Sequence, residues 1–230
     1  MKDDIIAAVT KGRNRSVLYH FTRARNLQAI SALNTLYSSV GIKTGSAGER
    51  RLKAETTVYR GYPVTINSHL RIADSMIDAG TTVEQFRACL DRHIFFWPTL
   101  KDCRKMMDTY GRREPEEHFA VLAMDASSLI YDHFDSVKLS KYDSGSSPRF
   151  PSRCSYRKSP EMLLPISLFQ RSADSRVPAK SSDVKEILVE DQVNHVSAYL
   201  QAVYTPELSD VSEAWRNKTL PYTDLYEQKE

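Results

Sequence analysis

Apolar and polar positions along the chain follow two periods, and the switches between them mark the elements. After a short N-terminal helix, Val17–Phe21 is an apolar run that reads as a strand, and Ala24–Leu33 follows as a helix with Leu27, Ile30 and Leu33 at helical spacing. From Ser38 to Glu55 the chain is rich in Gly, Ser and Lys and reads as a mobile loop, with a strand at Thr57–Arg60 beyond it. Thr81-Thr82-Val83-Glu84 resembles a helix-capping start for Val83–Asp91. An aromatic strand, His93-Ile94-Phe95-Phe96-Trp97, stops at Pro98-Thr99, and Leu100–Tyr110 returns to helical periodicity with Gly111 as its expected end.

His118–Met124 predicts another strand, and Ser136–Leu139 a shorter one. The stretch Lys141–Arg157, broken by Gly145, Pro148 and Pro151, is too polar for core. Val184–Val189 is a β-branched strand, Val193–Val203 predicts a final amphipathic helix, and an acidic-leaning tail runs from Glu207, about 207–230. No internal repeat is present. A chain of 230 residues with 41% hydrophobic content can bury a core as one domain over 1–230.

Three cysteines, Cys89, Cys103 and Cys154, are widely spaced, with no CxxC pair and no His at ligand spacing, so neither a disulfide framework nor a metal site is expected. The N-terminus lacks the apolar core of a signal peptide, and no run is uniformly apolar over the ~20 residues a bilayer requires. A soluble, cytoplasmic protein with no membrane partner is the expectation.

The net charge of +3 hides an uneven distribution. Between Ser140 and Lys180, eight basic side chains face three acidic ones, and Lys11 to Arg25 holds five basic residues and no acid. Such runs are ordinarily solvated faces; the alternative is a track for a polyanion. Within the basic loop of about 140–180, Arg149, Arg153 and Arg157 lie among Tyr142 and Tyr156, a mixture suited to phosphates and bases together and hence to substrate binding. No Gly-rich phosphate loop, HExxH or GxSxG is present, which removes the common kinase, dehydrogenase and hydrolase readings.

Three segments carry the candidate chemistry. Leu18-Tyr19-His20-Phe21-Thr22 delivers an imidazole and, two residues later on the same strand face, a hydroxyl. A neutral His20 with one nitrogen fixed by backbone could donate to a bound amide or hydroxyl from the other; a core histidine is the bland alternative. In the aromatic strand, alternation puts Phe95 and Trp97 on one face and Phe96 on the other. Glu186, within Val184–Val189, is ordinarily a solvent-facing strand residue; functionally, a carboxylate there could bond a sugar 2′-hydroxyl and stabilise positive charge developing during glycosidic cleavage. Glu190 is the competing carboxylate, placed past the apolar run.

Leu18-Tyr19-His20-Phe21-Thr22 followed by Asn26-Leu27-Gln28-Ala29-Ile30 resembles the opening of DarT-type ADP-ribosyltransferases. Phe95-Phe96-Trp97-Pro98 resembles that family's aromatic strand, and Glu186-Ile187-Leu188-Val189 resembles the strand carrying its catalytic glutamate. The three occur in the family's order at about its spacing. Trp97 departs from it, standing where Tyr or Phe is usual, and the Ser140–Lys180 segment matches nothing in it.

The resemblance implies an α+β fold with a split antiparallel β core flanked by helices. It also implies NAD as substrate, with no metal, and transfer of ADP-ribose to a nucleobase in single-stranded DNA or RNA. Such enzymes act as toxins of toxin–antitoxin or anti-phage systems, which implies a cognate antitoxin partner, with or without a chaperone. On this reading Glu186 is catalytic, and His20, Thr22, Asn26, Phe95, Phe96 and Trp97 bind NAD. The family also leads one to expect an Arg near the NAD phosphates or the acceptor, with Arg71 the first choice as a catalytic residue and Arg60 the second, at the substrate. A protein-directed transferase or NAD glycohydrolase, and a catalytically silent nucleic-acid-binding module, are the alternatives.

Overall fold

The computed structural model describes residues 1–12, 14–148 and 150–227. The first half comprises α1 (Lys2–Val9), β1 (Val17–Arg23), α2 (Leu27–Leu33), β2 (Thr35–Tyr37), α3 (Ser39–Ile42), β3 (Glu55–Tyr59), β4 (Tyr62–Ile66), α4 (Val83–Asp91), β5 (His93–Phe96) and α5 (Leu100–Arg113). Then follow β6 (Phe119–Asp125), α6 (Ala126–Asp132), β7 (Val137–Ser140), β8 (Leu163–Pro165), β9 (Glu186–Glu190), β10 (Gln192–Asn194), α7 (Val196–Tyr199), β11 (Leu200–Thr205), β12 (Thr219–Pro221) and α8 (Asp224–Glu227).

Two four-stranded sheets form the framework of this α+β fold. Their orders are β1-β6-β11-β12 and β5-β9-β7-β8, antiparallel except for the β11–β12 pair. They meet along one seam, where Tyr19 N donates to Trp97 O (3.0 Å) and Trp97 N to Tyr19 O (2.9 Å). The β core is therefore split between β1 and β5. One face of the second sheet, with Ile94, Phe96, Val137, Leu139, Ile187 and Val189, packs with Leu18, Leu122 and Met124 of the first in the largest core cluster. The opposite face of the first sheet, through Phe21, Val121 and Tyr204, is covered by Leu100, Cys103 and Met107 of α5 and Leu225 of α8. Period-2 alternation thus sends successive residues of β1 and β6 into two different cores.

The start of α4 is a capping box: Thr82 Oγ1 accepts from Gln85 N (3.1 Å), and Gln85 Oε1 accepts from Thr82 N (2.9 Å). Such a cap contributes about 1 kcal/mol. Helix α5 runs through Gly111 to Arg113, and its end is set by Pro115, which disfavours helical backbone at Glu114. The expected helix over 193–203 is instead β10, a single turn α7 and the strand β11. Val193, Val196, Leu200 and Val203 fall at helix-like intervals, but His195 adopts left-handed backbone (φ 57°), and Leu200–Thr205 lies between β6 and β12. Nor does a free tail begin at Glu207, since Val211, Trp215 and Leu225 are buried. Among the described residues, no helix is long and apolar enough to cross a membrane.

Candidate active site at the seam between the sheets

A cleft of about 1160 Å³, counted out to its mouth, opens beside the seam, and His20, Thr22, Asn26, Phe95, Trp97 and Glu186 all line it. Three segments distant in sequence converge here because β1 and β5 are bridged and β9 pairs with β5 in the register Phe96 to Ile187.

His20 Nδ1 sits 2.9 Å from Phe95 O, across the seam. A carbonyl only accepts, so Nδ1 carries the proton. Burial pushes the imidazole pKa down to about 4, against the opposing effect of that hydrogen bond, so the ring is neutral at pH 7. Nε2 therefore presents a lone pair and accepts, the reverse of the donor role expected from sequence.

Thr22 is buried, and its Oγ1 accepts from Asn26 Nδ2 at 3.5 Å. Asn26 pairs with Thr65 as a strand would: Nδ2 donates to Thr65 O (2.9 Å) and Oδ1 accepts from Thr65 N (2.8 Å). Its amide is engaged in pinning the β3–β4 hairpin to the cleft wall, which makes it a positioning residue. Phe95 and Trp97 face the cleft as alternation predicts. Phe96 does not line it; it is fully buried in the main core, and this corrects its expected role in binding.

Glu186 is 1% exposed, where a solvent-facing position was the ordinary expectation. Its Oε2 accepts from Ser144 N (3.0 Å) and Ser144 Oγ (2.5 Å). Burial, and then the proximity of Asp143, push its pKa up to about 8 despite those bonds. Below Ser144, the fully buried Lys158 donates from Nζ to the carbonyls of Asp143 and Ser144, and burial holds its pKa below the ordinary lysine value. The 143–144 strap is thus fastened on one side to a lysine and on the other to the carboxyl group. Glu190, the competing carboxylate, lies at the far end of β9 beside Arg92 (3.5 Å) and lines no part of the cleft.

The arginines fall elsewhere than expected. Arg71 is exposed and does not line the cleft; Arg87 does, with its Nη1 donating to Gly48 O (2.7 Å), and so does Arg51. Arg51 Nη2 donates to Asp91 Oδ1 (2.6 Å) and its Nε to Asn67 O (3.2 Å). Asp91 also accepts from His69 Nε2 (2.9 Å), Ser39 Oγ (2.9 Å) and Gly48 N (3.0 Å). Burial opposes ionisation of Asp91, but the hydrogen bonds from His69 and Arg51 outweigh it and hold the carboxyl well below the usual range. The Gly- and Ser-rich loop expected to be mobile is therefore anchored at its middle. Gly48 has φ 81°, and a Cβ there would lie 2.6 Å from Glu84 O, so only glycine fits.

Arg60 occupies the β3–β4 turn at φ 49°, its guanidinium over the rings of Tyr37 (5.3 Å) and Tyr59 (5.5 Å), outside the cleft lining. Arg153 lies over the Phe150 ring (5.2 Å), and Arg157 donates to the carbonyls of Cys154 and Tyr156; both are exposed and line no part of the cleft. Arg149 lies outside the described residues. Sequence reasoning missed Arg51, Asp91, Ser144 and Lys158. Of these only Arg51 carried a signal, the Gly48-Glu49-Arg50-Arg51 run, and nothing in it favours Arg51 over Arg50.

No curated protein matches the chain in sequence. Among solved structures it is similar to Thermus sp. 2.9 DarT in complex with ADP-ribosylated ssDNA (14% identity, covering 93% of this chain and 97% of that one, TM-score 0.43). It is also similar to the same organism's DarT in complex with NAD+ (12%, 86% and 85%, 0.36). A third, Thermosipho africanus DarTG in complex with ADP-ribose, is 14% identical, with 91% of this chain and 50% of that one covered at a TM-score of 0.41, so this chain spans about half of it. The family described as a family of unknown function, DUF7002, matches residues 16–200, which is most of the chain, and the chain belongs to that family.

Proposed function

We propose that the protein is an NAD-dependent ADP-ribosyltransferase that moves ADP-ribose from NAD to a nucleobase in single-stranded DNA or RNA, releasing nicotinamide. The observation that carries this reading is the convergence of His20, Trp97 and Glu186 on one cleft at the seam. The order of the three motifs along the chain supports it too.

On this reading the bond between the ribose C1′ and the nicotinamide nitrogen breaks, and nicotinamide leaves with the bonding pair as a neutral ring. Glu186, once ionised, bonds the ribose 2′-hydroxyl and stabilises positive charge at C1′. A ring nitrogen of the acceptor forms the new bond to C1′, and its proton passes to Glu186. His20 Nε2 accepts from a hydroxyl or amide of the bound dinucleotide, while Phe95 and Trp97 supply flat apolar walls. Arg51, its Nε and Nη2 held by Asn67 and Asp91, presents a fixed cation from Nη1 toward a diphosphate. Each of these residues has the donor, acceptor or surface that NAD requires. A neutralising partner protein is the further expectation for an enzyme that damages nucleic acid in its own host.

The test is incubation of the purified protein with labelled NAD in parallel with single-stranded DNA, RNA and cell extract. Label should enter an oligonucleotide with release of nicotinamide. Label confined to protein would support the protein-directed alternative, free ADP-ribose alone would support a glycohydrolase, and salt-sensitive binding without nicotinamide release a silent module; each would overturn this reading.

A further inference from the structure

The Glu186 carboxyl stands between two cavities. Beyond the cleft, a second cavity of about 730 Å³ out to its mouth opens between α5 and the strap around residues 141–146, and Trp97 and Glu186 line both. Its wall carries three lysines from three parts of the chain: Lys105 on α5, Lys141 at the start of the strap and Lys185 just before β9.

Lys105 and Lys185 share one buried anchor. Asp102 is 2.7 Å from Lys105 Nζ and 3.7 Å from Lys185 Nζ, yet the two lysine side chains stay 64% and 45% exposed. They are therefore oriented by a carboxylate while remaining open to a ligand. Lys141 Nζ donates to Ser175 O at 3.0 Å. A further acid of the cavity besides Asp102 and Glu186, Asp143, is engaged by Ser146 at 2.8 Å. Tyr142, also on the wall, is held by stacking on Tyr156, with ring centroids 3.8 Å apart and planes 12° from parallel.

We propose that this second cavity receives the acceptor strand. A base enters beside Trp97 and Tyr142, and Lys105, Lys141 and Lys185 hold the phosphates that flank it. This deepens the transferase reading and rests on it. Transfer requires donor and acceptor to reach one carboxyl from different sides, and Glu186 is reached from both cavities. Aromatic walls suit any base, because every base has a π-face, and three oriented cations suit a chain of phosphates. A single strand fits this arrangement better than a duplex, which would have to extrude the target base. Two of the three cations of this site, Lys105 and Lys185, thus come from outside the basic loop that composition singled out, and the third, Lys141, from its very start.

The experiment measures transfer from NAD to a single-stranded DNA oligonucleotide across a range of salt concentrations. Wild type is compared with the Lys105→Gln, Lys141→Gln, Lys185→Gln triple variant and with Arg216→Gln, an exposed cation that lines neither cavity. The triple variant should raise the oligonucleotide KM at least about tenfold, since three phosphate contacts are lost, and should lower the slope of log KM against log salt by about 2, at roughly 0.7 per phosphate for a single strand. Arg216→Gln should change neither. Thermal denaturation of the triple variant checks its fold, and the single Lys141→Glu variant gives an independent reading of the same rise in KM. If wild type transfers but KM and salt slope are unchanged in the folded triple variant, the assignment is overturned. If wild type modifies no oligonucleotide at all, the transferase reading fails first and takes this one with it.

Discussion

Replacing Glu186 by Gln should abolish activity and yet make the protein more stable at alkaline pH. The side chain is 1% exposed, and its pKa stands at about 8 against an ordinary value of 4.5. A carboxyl whose folded pKa is raised contributes stability that is fully present below 4.5 and is lost as pH rises through 8, because the unfolded chain ionises first. Between pH 5 and pH 8 that loss amounts to about 3 kcal/mol, at 1.36 kcal/mol per unit. Glutamine keeps the shape and an oxygen for Ser144 to bond, and it does not titrate. In urea denaturation the two proteins should therefore differ by less than about 1 kcal/mol at pH 5 and separate by about 3 kcal/mol, variant above wild type, at pH 8. Nicotinamide release should fall at least about 10²-fold in the variant, the scale set by losing an electrostatic stabiliser. Wild-type activity should rise with pH toward 8 as the carboxylate forms. A wild-type-minus-variant stability difference that stays constant from pH 5 to pH 8 would refute the buried-acid argument.

Three further outcomes follow from the site's geometry. His20→Ala should raise the NAD KM by about tenfold, the worth of about one hydrogen bond to a buried acceptor, and an unchanged KM would reduce His20 to a tie across the seam. Asp91→Asn should destabilise the protein by about 3 kcal/mol and flatten its acid limb. In wild type the stability due to Asp91 is present above the ordinary carboxylate range and is lost as pH falls through its depressed pKa, so a variant as acid-sensitive as wild type would count against the role given to Asp91. Phe96→Ala should cost about 3–5 kcal/mol in denaturation, whereas Phe95→Ala should act mainly on NAD binding at a smaller stability cost; the reverse order would mean that the faces of β5 are assigned wrongly.

What could be read in the sequence was whatever local pattern decides. The β1, β5 and β9 strands, the capping box of α4 and the facing of Phe95 and Trp97 all follow from alternation, spacing and cap chemistry. The reading failed where a local pattern had two solutions that only tertiary pairing separates. Val193 to Val203 satisfies a helical spacing, and the place between β6 and β12 makes its second half a strand. Composition failed in the same way for the loop around Gly48: Gly and Ser content predicts mobility, and one carboxylate, Asp91, cancels it. The cleft's arginines, Arg51 and Arg87, were not foreseen because an Arg shows nothing in sequence of the partner that orients it. Glu186 was singled out by motif, but its burial depends on Ser144 and Lys158, at 42 and 28 positions' remove, which no window in the sequence connects.

The strand order also sets when the site can exist during synthesis. In the second sheet β9 lies between β5 and β7, both made before it, and in the first β11 joins the earlier-made β6 and waits for β12, so in both a central strand emerges late. A nascent chain halted before residue 186 holds β1 and β5 but has neither the carboxyl nor the strand that aligns it. The cleft is therefore assembled only after β9 has been made, so its formation is a late event in the synthesis of the chain.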